Sequence, residues 1–133
     1  MSLLSWYLLL FVLALINFSV AVVKLKSFLN EYSSIRYIGD LINFKSMVRV
    51  QMYSALLQTV ILGAALIIGV FGILKGELSL MIVLALNGVF MLLGKLLKGT
   101  EEKARSLTVN DDRLVTDYRD ACRTWMHKPF PDF

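Results

Sequence analysis

The stretch "MYSALLQTVILGAALIIGVFGIL", residues 52–74, decides the fold: it runs for 23 residues without a charged side chain. About 20 apolar residues in a helix cross the hydrocarbon core of a bilayer. Its apolarity is continuous rather than alternating, and lipid offers no water to unpaired backbone groups, so the segment is expected to be a membrane-spanning helix rather than a barrel strand. Two neighbours follow the same pattern. Residues 2–23 carry no charge, and residues 78–94 carry none either, with an extension to 97 if Lys95 and Lys98 reach back to the headgroups. An overall hydrophobic fraction of 57% with only 18% charged residues agrees with this reading, since soluble domains usually hold about 45–50% apolar residues. The expected fold class is an all-α integral membrane protein with three transmembrane helices, at about 2–23, 52–74 and 78–97.

The first span is expected to be an anchor rather than a cleaved leader. "SVA" at residues 19–21 satisfies a small-x-small cleavage rule, but "MSLLSWYLLL" has no positive n-region, and the apolar run exceeds a usual h-region.

Charge sets the orientation. The connection 24–51 holds Lys24, Lys26, Arg36, Lys45 and Arg49 against Glu31 and Asp40, and the third span is followed by Lys95, Lys98, Lys103 and Arg105. The second connection, "KGE" at 75–77, is a hairpin turn. Three crossings bring both basic segments to one side, which the positive-inside rule assigns to the cytoplasm, with the N-terminus outside. The expected setting is a multi-pass protein of a bacterial inner membrane. Residues 1–98 then form the membrane region with a cytoplasmic loop at 24–51, and residues 99–133 form a cytoplasmic tail.

None of the spans contains an ionisable residue, the usual mark of a functional site inside a membrane. Asn17, Gln58 and Asn87 could line a solute path or act as interhelical hydrogen-bond donors; the second role is the commoner one. Small residues that permit close approach fall at Gly63, Ala65, Gly69 and Gly88, with Ala65 and Gly69 spaced as a small-xxx-small pair. Trp6, Tyr7 and Tyr53 are placed to form an interfacial aromatic belt. In the first connection, Ser33, Ser34, Gly39 and Asp40 interrupt otherwise helical sequence. Lys45 and Arg49 there share a stripe and are candidate lipid-headgroup contacts.

After Gly99, a candidate helix end, a second helix is expected at about 110–126, with Asn110 as its N-cap. Successive steps of 100° put Leu114, Val115, Tyr118, Ala121, Cys122, Trp125 and Met126 in one half of the wheel and charged or polar residues in the other. The polar half is nearly neutral, whereas helices that lie on anionic lipid are Lys/Arg-rich, so this helix is expected to pack on protein: the chain's own first loop or another subunit. Pro129 and Pro131 make the end stiff and extended, with Phe130 and Phe133 projecting. The expected docking set is Leu114, Tyr118, Cys122, Trp125, Phe130 and Phe133.

The single Cys122 and single His127 stand five apart, which separates them around a helix, and a closed zinc site needs four ligands. No metal, cofactor or catalytic set is therefore expected, and no nucleic-acid partner. The expected function is a non-catalytic structural, anchoring or assembly subunit of a membrane complex, in contact with lipids and with identical or different membrane subunits. The alternative is a homo-oligomeric channel or transport component lined by Asn17, Gln58 or Asn87. An intramembrane enzyme trails for want of a nucleophile, an acid pair or a metal set.

Overall fold

The computed structural model describes residues 2–131, and within them the chain is helical almost throughout. In order come α1 (Leu3–Glu31), a short strand β1 (Ser34–Ile35), α2 (Ile38–Leu74), α3 (Leu80–Arg105), β2 (Thr108–Val109) and α4 (Asp112–His127). Three of these helices, α1 to α3, are long and apolar enough to cross a membrane.

Each spanning helix continues past the end of its uncharged segment. The loop expected at 24–51 contracts to residues 32–37, because α1 runs on to Glu31 and α2 starts at Ile38. Likewise α3 passes through Gly99 to Arg105. A change from apolar to charged residues marks the edge of the oily segment, not the end of hydrogen bonding along the helix. At 1.5 Å per residue, α2 is about 55 Å long, well beyond a hydrocarbon core of about 30 Å. The surplus lengths of α1, α2 and α3 all lie at the same end of the bundle, where α4 joins them.

A single seam holds α1 against α2. The buried residues of α1 are Tyr7, Phe11, Ala14, Ala21, Leu25 and Phe28; those of α2 include Leu41, Phe44, Val48, Gln51, Ala65, Gly69 and Gly72. Both sets keep one heptad phase, in steps of three and four with gaps of whole heptads between Ala14 and Ala21 and between Gln51 and Ala65, the pattern of coiled-coil packing. The seam passes from the apolar spans into the charged segments without shifting phase.

Two cores form along it. The outer one, in the spans, gathers Tyr7, Phe11, Ala65, Leu78 and Val83. The other, here termed the head, gathers Leu25, Phe28, Ile35, Leu41, Phe44, Val48 and Met52 with Ala104 and with Leu114, Tyr118, Ala121 and Cys122 of α4. β1 and β2 pair in parallel, Ser34 with Thr108 and Ile35 with Val109, and the Asn110 N–H adds a bond to the Ile35 carbonyl at 2.9 Å. This small bridge joins the α1–α2 corner to the α3–α4 corner.

The α2–α3 turn is tight. Gly76 takes φ +76°, a left-handed conformation that a side chain disfavours. The N–H groups of Glu77 and Leu78 both return to the Gly72 carbonyl. A Cβ on Gly72 would strike the Leu78 side chain, so the turn closes only because that position has none.

Several placements differ from the sequence expectations. Tyr7 turns into the core at 1% exposure, while its neighbour Trp6 stays exposed. Gly63 and Gly88 make no intramolecular packing contact that a Cβ would disturb, whereas Ala65 is buried and a Cβ on Gly69 would press on the Tyr7 ring at 3.3 Å. The N-cap of α4 is Asp111 rather than Asn110: its carboxylate accepts from the Arg113 N–H at 3.0 Å.

Candidate functional site

Two polar clusters interrupt the apolar interior, one in the bundle and one in the head. The first lies where the α1–α2 seam loosens. At the seam positions between Gln51 and Ala65, Ala55 is exposed and Gln58 and Leu62 are only half-buried. Here Asn17 Nδ2 donates to the Ser54 carbonyl at 2.9 Å and to Gln58 Oε1 at 2.8 Å. Ser54 Oγ returns a bond to Asn17 Oδ1 at 3.0 Å. One turn nearer the head, the buried Gln51 donates to the Ala21 carbonyl at 2.8 Å. Gln58 Nε2 is buried and has no partner among the described residues. A crevice of about 230 Å³ opens beside these groups, also walled by Leu97 and Glu101 of α3.

Asn87 does not join them. It donates to the Val83 carbonyl of its own helix at 2.7 Å and to the Tyr7 hydroxyl at 3.4 Å, toward the other end of the bundle. Asn17 and Gln58 are thus brought together, and Asn87 stands apart.

The head cluster is built on α4. The Tyr118 hydroxyl donates to the Ala104 carbonyl at 2.6 Å and accepts from the Leu107 N–H at 3.0 Å, which satisfies backbone groups freed at the end of α3. Its ring stands 4.8 Å from that of Phe44. Phe44 also meets the rings of Phe28 and Trp125. The Arg105 guanidinium lies 4.9 Å over the Trp125 ring and pairs with Glu101 at 3.6 Å. Cys122 is buried, its Sγ pointing to the Arg105 carbonyl at 3.9 Å.

These contacts revise the docking expectation. Leu114, Tyr118 and Cys122 are covered by the chain's own helices, and Trp125 packs against the same core. Of the two partners weighed for the α4 face, the first connection is the one that meets it. Phe130 is 61% exposed and Met126 57% exposed, so neither packs on the bundle. Phe133 lies outside the described residues. Lys45 and Arg49 sit on the head portion of α2, and both already interact within the chain.

The i,i+4 pair of Glu101 and Arg105 is legible in "TEEKAR", but sequence reasoning missed Gln51, Ala104 and the stacking of Arg105 on Trp125. The heptad phase of the buried residues would have pointed to Gln51, but Ala104 and Arg105 are recruited by α4 across a gap no local pattern reveals.

Burial pushes the Tyr118 hydroxyl up from its ordinary value, with the neighbouring Cys122 adding to the effect. Burial also pushes the Cys122 thiol up. Both acids are neutral when folded, and the unfolded chain would release their protons first as pH climbs. Their contribution to stability is therefore complete below about pH 8.5 and is lost as pH rises further. Alkylation of Cys122 in the folded protein is expected to stay slow at pH 8 and to accelerate by more than the free thiolate fraction allows by pH 10. A rate tracking a free cysteine from the start would contradict this.

Among the described residues, no three His, Cys, Asp or Glu side chains converge where they could hold a metal ion. Compared with family models, with curated proteins and with solved structures, the chain matches none.

Proposed function

We propose that this chain is a non-catalytic subunit of a membrane assembly, anchored by three spans and joined to other membrane proteins chiefly through α3. The observation that carries this reading is the coverage of α3. It touches α1 through Asn87 and Tyr7 and through Phe90 and Phe11, and it returns to the interior only at Leu97, which packs on the head core, and at Ala104 beneath Tyr118. Between these points Met91, Leu92 and Leu96 are exposed, and Gly94 would accept a Cβ without meeting anything. An apolar helix with open small positions suits close approach by another transmembrane helix.

The head is proposed to lie in the cytoplasm. The helix ends gathered there carry Lys24, Lys26, Lys45, Arg49, Lys103 and Arg105, whereas the opposite turn carries Lys75 beside Glu77. That asymmetry supports an outside N-terminus. The channel alternative receives less support, since Asn17 and Gln58 bond each other and Asn87 bonds within the outer core.

Cysteine cross-linking in native membranes tests the reading. With Cys122 replaced by serine, Gly94→Cys on α3 is expected to give adducts of discrete mass, and Val12→Cys on the outer face of α1 to give few. Equal yields at the two positions would sink it.

A further inference from the structure

The crevice beside Gln58 has the features of a ligand site rather than a packing fault. It lies between all three spanning helices, at the place where the α1–α2 seam opens, and Ala55 and Thr59 at its mouth are exposed. A second groove of about 260 Å³ continues from it: Gln51, Ala55, Thr59 and Glu101 line both, and Trp125, Lys128 and Pro129 line the outer part. The path therefore leads from the inner end of the uncharged spans to the surface of the head, the depth range that a phospholipid covers from its ester groups to its headgroup.

Its chemistry is graded along that path. Innermost is the buried amide Gln58 Nε2, a donor without a partner among the described residues. A buried donor left unpaired is destabilising, so an acceptor placed there is favoured. An ester carbonyl supplies one at that depth. Further out, the one formally charged side chain lining the inner crevice is Glu101. Its pair with Arg105 is long at 3.6 Å and uses Oε2, while Arg105 is drawn toward the Trp125 face. A carboxylate at this position favours a positively charged head that can donate N–H bonds.

We infer that the crevice is a lateral binding site for a phospholipid with a primary ammonium headgroup, its ester oxygen accepting from Gln58 and its ammonium donating to Glu101. Three probes discriminate it: phosphatidylethanolamine has the N–H donors, phosphatidylcholine has the charge but no N–H, and phosphatidylglycerol has a net negative head.

The test uses the full chain in bilayer discs containing equal amounts of the three lipids, with lipid retained per chain read by native mass measurement after release. The wild-type chain is expected to retain one phosphatidylethanolamine with about tenfold preference over phosphatidylcholine, the size of effect one charge-assisted hydrogen bond provides. Glu101→Gln should bring that preference close to parity. Gln58→Leu should reduce retention of any diacyl lipid. Ala55→Leu narrows the mouth without touching the polar groups; it should expel the lipid while Cys122 stays protected from alkylation, which separates loss of the site from loss of the fold. Equal retention of the three lipids, a preference for phosphatidylglycerol, or a preference that survives Glu101→Gln would each overturn the assignment.

Discussion

Alanine at position 44 is expected to free α4 from the bundle while leaving the three spans inserted. Phe44 is fully buried, and its ring meets those of Phe28, Tyr118 and Trp125, so it is the point where α1, α2 and α4 share one contact. Removing a buried phenyl costs about 3–5 kcal/mol, from lost burial and from the cavity left behind. That is of the same order as the whole stability of a small helical unit. Without the ring, Tyr118 loses the surface that holds its hydroxyl against the Ala104 carbonyl. Limited proteolysis should then cut near residues 106–111, and Cys122 should become alkylated at pH 8. Phe44→Leu, which keeps most of the volume, should remain largely protected. If Phe44→Ala resists protease as the wild type does, the head is held by something other than this aromatic cluster.

Valine at position 72 should act at the opposite end and by the opposite mechanism. There the difficulty is surplus volume: a Cβ on Gly72 would overlap Leu78, whose N–H is bonded to the Gly72 carbonyl. Relief requires moving Leu78 out of the outer core or opening the turn, and overpacking of this kind costs about 1–3 kcal/mol. Unfolding by SDS in mixed micelles should occur at a lower detergent fraction. Gly63→Val on the same helix meets no neighbour and should be neutral within about 0.5 kcal/mol. A pair of variants that unfold together would remove the basis for the turn's dependence on glycine.

The helical fold class and the three apolar spans were legible in the sequence because hydropathy and length speak directly about lipid. The helix ends were not. Lys24 and Gly99 look like boundaries, yet Lys24 only marks the exit from an apolar segment, and Gly99 is tolerated within a helix held at both ends by Tyr7 and Tyr118. Inside the spans the pattern of burial was hidden for a related reason. When every face of a helix is apolar, no contrast between faces reveals that Tyr7, Phe11 and Ala14 turn inward while Trp6 and Val12 turn outward. Asn17 and Gln58 could be named as hydrogen-bonding residues, but that they bond each other, and that Asn87 does not join them, depends on helix register. The crevice beside Gln58 was least legible of all, since it arises from a lapse in packing among three helices rather than from any residue type.

The parallel bridge between Ser34–Ile35 and Thr108–Val109 has a consequence for how the protein is made. Its halves are separated in sequence by α2 and α3, two helices long and apolar enough to cross a membrane, so the apolar sides of Phe28 and Phe44 are fully covered only once the chain has passed along α2, turned at Gly76 and returned along α3. The head can close only on a chain in which α3 has folded back beside α2, so that β2 and α4 reach β1. A molecule stalled before that return would leave its aromatic residues bare. The aromatic cluster that stabilises the finished head thus stays incomplete until the helix after Gly76 has folded back beside α2.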